Sequence, residues 1–227
     1  MPRSWSWFLD LNVVSIQNMP KKPVCCGGIS SASLNRLVKN SYKKKKEIKA
    51  IPGYELDRSL STKRSKVYSD AEGHAIVTHS GTDSPLDWAH NISIPFGKYK
   101  YSERYKRQEK AQRAANDKFG KDNVLTVSHS QSGETARILA KKGLTSKSVS
   151  LNPAILAKSH TGVSVVRSKT DLVSALTPMG RNDVTLDAKT YLPLTEHSAG
   201  ILSRTDQEFG GEIYMRHRPR GLAWIEN

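Results

Sequence analysis

From residue 66 onward, short apolar runs alternate with longer, mostly polar stretches. Residues 66–69 and 74–79 read as two strands joined by a turn at Asp70-Ala-Glu-Gly73, the second strand carrying Ile76 and Val77. Residues 102–119 are polar and helix-forming, with Tyr101, Tyr105, Ala111, Ala115 and Phe119 roughly on one face. Gly120 supplies the stop. Residues 123–128 form the next apolar run, and 133–142 a helix ended by Gly143. Residues 147–151 read as a strand stopped by Asn152-Pro153, and 163–166 as another. Strands alternating with helices predict an α/β fold, a mainly parallel sheet with helices on both faces. No internal repeat is visible.

The first fifty residues have a different character. Residues 5–16 are apolar but interrupted by Asp10 and Asn12, with only Arg3 before them and no small-x-small site after. That pattern argues against a cleaved signal peptide and favours a short interfacial helix built on Trp5, Trp7 and Phe8. Met19 is an alternative start. Cys25-Cys-Gly-Gly28 is a breaker, and its adjacent thiols, without a third or fourth zinc-type ligand nearby, read as free cysteines. Residues 33–49 read as a modest helix with Leu34, Leu37 and Val38 at helical spacing, running into Lys43-Lys-Lys-Lys46. Four adjacent lysines repel and stay solvated. Residues 1–50 are therefore expected to be a basic, partly disordered tail, and 51–227 the domain.

Charge sharpens that division. The 227 residues hold 36 Lys/Arg and 21 Asp/Glu, a net +15, and residues 1–65 alone hold 13 and 4, a net +9. A basic tail fits an anionic membrane surface, nucleic acid or an acidic protein; the plain alternative is a solvated tail. Aromatic interleaving is limited to Tyr42, so nucleic acid is the less favoured partner. No run approaches the roughly 20 apolar residues of a spanning helix. An intracellular location is expected over a secreted one. Two cysteines exclude a disulfide-built mini-protein.

Ser128-His-Ser-Gln-Ser-Gly133 sits between a strand and a helix. There a sharp turn lifts Ser130 above the sheet, over a helix N-terminus that favours negative charge. A second strand-following stretch, Ile76-Val-Thr-His-Ser-Gly-Thr-Asp-Ser-Pro-Leu-Asp-Trp88, lies about fifty residues upstream. Acyl transfer needs two donors aimed at an oxyanion, and a Gly-Thr turn at a strand end can supply the second. The ordinary alternative for the hexamer is a Ser-rich helix cap.

These two blocks, in this order, resemble the class 3 lipases, the fungal lipase-like α/β hydrolases. The upstream block resembles their apolar strand followed by Arg-Gly-Thr and a later Asp-Trp pair. The hexamer resembles their Gly-His-Ser-Leu-Gly-Gly elbow. The resemblance covers about residues 54–200. It implies an α/β-hydrolase fold in a trimmed form, with Ser130 as nucleophile and an oxyanion hole formed by Thr82 and the N–H of Gln131. It also implies a structural role for His129 and for Asp87-Trp88. Ser80 stands where the family has arginine, and Ser128 and Ser132 where it has glycine. Serines on both sides of the nucleophile are expected to strain the elbow by ~1 kcal/mol or more.

The hydrolase order is Ser, then Asp/Glu, then His. Asp171, after the apolar run 163–166, fits the acid, with Asp183 the alternative and Asp187 a strand-end surface charge. Of seven histidines, His74, His79 and His90 precede the elbow, His129 lies inside it, His160 precedes the acid, and His217 sits in a basic stretch. His197 remains. The expected chemistry is ester hydrolysis of lipase or phospholipase type, part of lipid metabolism, through Ser130, Asp171, His197 and a covalent acyl-enzyme, with no metal or cofactor. The loop at 92–99 is expected to be either an apolar lid or a packed loop. The alternative function is a weak or inactive lipase-fold protein whose basic tail binds nucleic acid or anionic surfaces.

Overall fold

The computed structural model describes residue 29 and residues 31–82, 98–180 and 183–204. The apolar runs form one seven-stranded sheet whose spatial order follows the chain. Its strands are β1 (Glu55–Asp57), β2 (Ser65–Ser69), β3 (Ala75–His79), β4 (Val124–His129), β5 (Lys147–Leu151), β6 (Ser164–Ser168) and β7 (Val184–Leu186). β1, β2 and β3 pair antiparallel, and from β3 to β7 every pair is parallel. The β2–β3 turn closes where Asp70 Oδ1 accepts from His74 N–H at 2.8 Å and Gly73 takes φ 87. The helices are α1 (Ser31–Ser41), α2 (Glu103–Phe119), α3 (Ser132–Lys141) and the one-turn α4 (Pro193–Glu196). The Ser102 hydroxyl caps α2 by accepting from Tyr105 N–H, and Gly120 at φ 81 ends it. The links from β5 to β6 and from β6 to β7 carry no α-helix among the described residues, only a 3-10 turn at Ser174–Leu176.

Each parallel crossover from β3 to β5 steps one strand in the same direction. Right-handed crossovers therefore put α2 and α3 on one face. The period-2 alternation along β4 sorts the two faces. Leu125 and Val127 point into an apolar core with Ile76, Leu151, Val166 and Leu186. Thr126 and Ser128 point the other way, toward α2 and α3. There Thr126 Oγ1 donates to Gln112 Oε1 at 3.0 Å and Ser128 Oγ to Ser150 Oγ at 2.8 Å. One face is closed by hydrocarbon, and much of the other by hydrogen-bonded side chains.

The apolar face is covered by α1, which corrects the expected division at residue 50. Leu34, Leu37 and Val38 are at most 1% exposed and belong to the main core with Ile29. The fully buried Lys66 of β2 reaches the end of this helix, its ammonium donating to Ser41 O at 3.4 Å and to Thr62 O at 2.8 Å. The domain thus includes residues that the charge run had assigned to the tail. The helix stops at Ser41 instead of continuing to residue 49, and Lys44, Lys45 and Lys46 are exposed as expected.

The apolar stretch at 5–16, Cys25, Cys26, Asp87, Trp88, His90, His217 and all but the end of the 92–99 loop lie outside the described residues. No described helix is long and apolar enough to cross a membrane. The buried seam of α1 predicts that Leu37→Ala lowers the unfolding free energy by about 2–5 kcal/mol. Urea denaturation measures this directly; a loss under about 0.5 kcal/mol, the usual size for a surface substitution, would place α1 outside the core.

Candidate active site

β4 runs out at His129 and α3 begins at Ser132, so the chain reverses direction within two residues. Ser130 makes the turn at φ 58, in the left-handed region that a side chain rarely adopts. Such a position typically costs on the order of 1–3 kcal/mol and persists only where the surroundings over-determine it. Here Ser130 N–H donates to Leu151 O at 3.1 Å, while Ser130 O accepts from Gly133 N–H and Ala154 N–H, both at 2.9 Å. A Cβ on Gly133 would stand 2.4 Å from Pro153 Cβ, and one on Gly81 would stand 2.7 Å from Ser130 Cβ. The close approaches that demand glycine therefore fall at 81 and 133.

The flanking serines do not bring the expected strain. Among the described residues, the non-glycine positions with positive φ are Ser130 and Asn152. Both hydroxyls are used: Ser128 bonds Ser150, and Ser132 Oγ donates to Ser80 O at 2.6 Å, tying the elbow to the end of β3. Gln108 Nε2 donates to the same carbonyl at 3.1 Å.

Ser130 Oγ lies 2.8 Å from His197 Nε2, and His197 Nδ1 lies 3.0 Å from both carboxylate oxygens of Asp171. A carboxylate only accepts, so Nδ1 carries the proton and Nε2 accepts from the serine hydroxyl. The Asp171 side chain is fully buried and also accepts from Val173 N–H (3.0 Å), Ser174 N–H (3.2 Å) and Ser174 Oγ (2.6 Å). These donors fix its orientation. The structure thus brings together the three residues expected from chain order. Asp183 lies elsewhere: it pairs with His160 at 2.6 Å and accepts from Val165 and Gly180 N–H. Asp187 is exposed beyond β7.

His197 follows α4, and its loop is held by groups that sequence reasoning missed. Buried Glu196 accepts from the Ser168 hydroxyl and from Thr190 N–H at 2.9 Å. Asn152, at φ 41, donates to Glu196 O at 2.8 Å and to Ser198 O at 3.3 Å, and accepts from Ser168 N–H at 2.9 Å. The Asn152-Pro153 stop was the one visible signal of that staple, since asparagine tolerates the left-handed region. Tyr42, just past α1, donates to His129 Nδ1 and accepts from Gly81 N–H at 2.9 Å. Buried His129 lies beside His197, ring centroids 5.1 Å apart. Burial first, and the neighbouring His197 second, hold its imidazole well below the ordinary histidine range, so it stays neutral. Gln131, beside Ser130, is the N-cap of α3, at the helix end where N–H groups lack partners within the helix. Thr82 is half-buried next to Gly81.

No protein-family model matches the chain, and no curated protein matches it. What the fold and this geometry define is an α/β protein with a buried Ser-His-Asp hydrogen-bond chain at a strand-to-helix elbow.

A second buried histidine links the site's scaffold to pH. His79 ends β3 with Nδ1 2.9 Å from Ser65 Oγ, and burial pushes its imidazole down to about 4. An unfolded chain binds that proton near pH 6.5. Between the two values the unfolded state holds more protons, so stability rises with pH there. The contribution is fully present above 6.5 and is lost as pH falls toward 4, on the order of 3 kcal/mol in all. Guanidinium unfolding at pH 7.5 and pH 5 should differ by about 2 kcal/mol from this group alone, with neutral His129 adding in the same direction. Equal values at the two pH values would mean that neither histidine is buried neutral.

Proposed function

We propose that this chain is a serine hydrolase of carboxylic esters with an α/β-hydrolase fold, of the lipase or phospholipase type. The observation that carries the reading is the unbroken path Ser130 Oγ–His197–Asp171 on an over-determined left-handed turn. In the first step His197 Nε2 takes the Ser130 proton as Oγ attacks the ester carbonyl, and Asp171 stabilises the imidazolium that forms. The carbonyl oxygen becomes an oxyanion facing the Gln131 N–H and Thr82. Collapse breaks the bond to the alcohol, which leaves with the proton from His197, and Ser130 keeps the acyl group. Water then repeats the sequence and releases the acid. The chemistry needs only the chain's own residues.

Lipid-type esters are favoured by the surroundings of the acid and the histidine. Leu172 and Leu176 follow Asp171, Tyr191 and Leu192 precede His197, and all four are 59% or more exposed. Thr170 Oγ1 reaches Thr190 O at 3.3 Å, so the two loops are neighbours. Large apolar side chains left in water on the loops that carry the acid and the histidine suit a long acyl chain. The exposed Lys44, Lys45 and Lys46 supply charge for an anionic surface.

A fluorophosphonate tests the reading, because it adds covalently to an activated serine. The expected outcome is a single mass adduct on the wild type and none on Ser130→Ala. Ester turnover in that variant should fall on the order of a thousandfold or more. An unlabelled wild type would instead support the alternative, a catalytically silent protein whose basic surface is the functional part.

A further inference from the structure

We infer that Arg64 and Arg104 are positioning residues for the upstream oxyanion donor, acting by gripping the Gly81 carbonyl. The inference rests on the ester-hydrolase reading and extends it to residues that touch no substrate. Gly81 O accepts from Arg104 Nη1 at 2.7 Å and from Arg64 Nη1 at 3.0 Å. The two guanidinium groups come from separate elements: Arg64 precedes β2, and Arg104 lies in the first turn of α2. Both residues are half-buried. A single neutral donor would satisfy a carbonyl. Bringing two like charges onto one oxygen works against their mutual repulsion, so the arrangement needs a further reason.

The peptide bond supplies that reason. Gly81 O and the N–H of Thr82 are opposite ends of one planar amide. Charge-assisted donors on the oxygen draw electron density from the nitrogen and make its N–H a stronger donor. Two donors from different directions also fix the amide plane, and with it the direction of that N–H. The preceding peptide is pinned as well. Ser80 O accepts from Ser132 Oγ and Gln108 Nε2, and Gly81 N–H is spent on Tyr42. With the Gly81 N–H committed, the Thr82 N–H is the next backbone donor in the turn. Oxyanion stabilisation depends on donors aimed before the charge develops. Here the aiming is done from behind, through the carbonyl.

The experiment compares wild type, Arg64→Met, Arg104→Met, the double variant and Arg104→Lys on a soluble short-chain ester. A trifluoromethyl ketone carrying the same acyl group is measured alongside. It adds to Ser130 Oγ and places a tetrahedral oxyanion in the same position. Each Met variant should lose about tenfold to a hundredfold in kcat with KM changed less than about threefold. The ketone's inhibition constant should rise by the same factor as kcat falls. Arg104→Lys restores the charge and recovers part of both, and it is the variant to read if a Met replacement does not fold. A purely structural role would lower the melting temperature without this parallel change in kcat and ketone affinity. Folded variants within twofold of wild type in both would overturn the inference. So would a loss of kcat with unchanged ketone affinity. Fluorophosphonate labelling of the wild type separates the two levels. An unlabelled wild type overturns the hydrolase reading and this inference together, whereas a labelled wild type with indifferent variants overturns this inference alone.

Discussion

The left-handed turn at Ser130 is a backbone conformation that its own side chain disfavours, and two other segments meet to enforce it. Pro153 crowds Gly133 from one side, Gly81 presses against Ser130 from another, and Leu151 and Ala154 hold its amide and carbonyl. None of these contacts exists without the parallel register that sets β4 between β3 and β5. Local strain and global topology are therefore one constraint. The sheet makes the turn affordable, and the turn places a hydroxyl where the loops after β6 and β7 can reach it.

The two faces of that sheet solve different problems. Under α1 the side chains are mostly hydrocarbon, and burial supplies cohesion without direction. Under α2 and α3 a run of hydroxyls and amides continues from Ser80 through Ser132 and Gln108 to Thr135 and Tyr99. Such a network is directional, and each member limits the rotamers of the next. The apolar face holds the molecule together, while the polar face fixes where the elbow stands relative to the end of β3. Serines in place of glycines at 128 and 132 belong to this second system.

Much of the strand and helix pattern was legible because its signals are local. The run at 123–128, the glycine-bounded helices and the turn at 70–73 declare themselves within a few residues. Asp171 and His197 were legible through chain order combined with their positions after strands. A helix was read at 33–49, longer than the 31–41 that forms, and its burial was missed because Lys43–Lys46 dominate the local charge and mask three leucine and valine positions. Tyr42, Glu196, Arg64 and Arg104 left no usable signal for these contacts, and Asn152 left only the Asn152-Pro153 stop. Their partners lie 87, 28, 17, 23 and 44 residues away, and nothing in the neighbouring sequence marks a contact across such distances. The strain expected from the serine flanks failed for a related reason. The need for glycine comes from Pro153 and Ser130 across the turn, so it appears at 133 and 81.

The burial of α1 also bears on the order in which the chain is made. Its apolar stripe leaves the ribosome before the residues that cover it, which extend to Leu186 on β7 and to Ile201 and Leu202. Until those segments exist, Leu34, Leu37 and Val38 have no complete core to enter, and such long-range closure is slow. The nascent chain therefore carries an unshielded amphipathic helix until those segments have been made. Beside that helix, Lys43–Lys46 give it a strong like charge at the stage when its apolar face is most open to association with other chains.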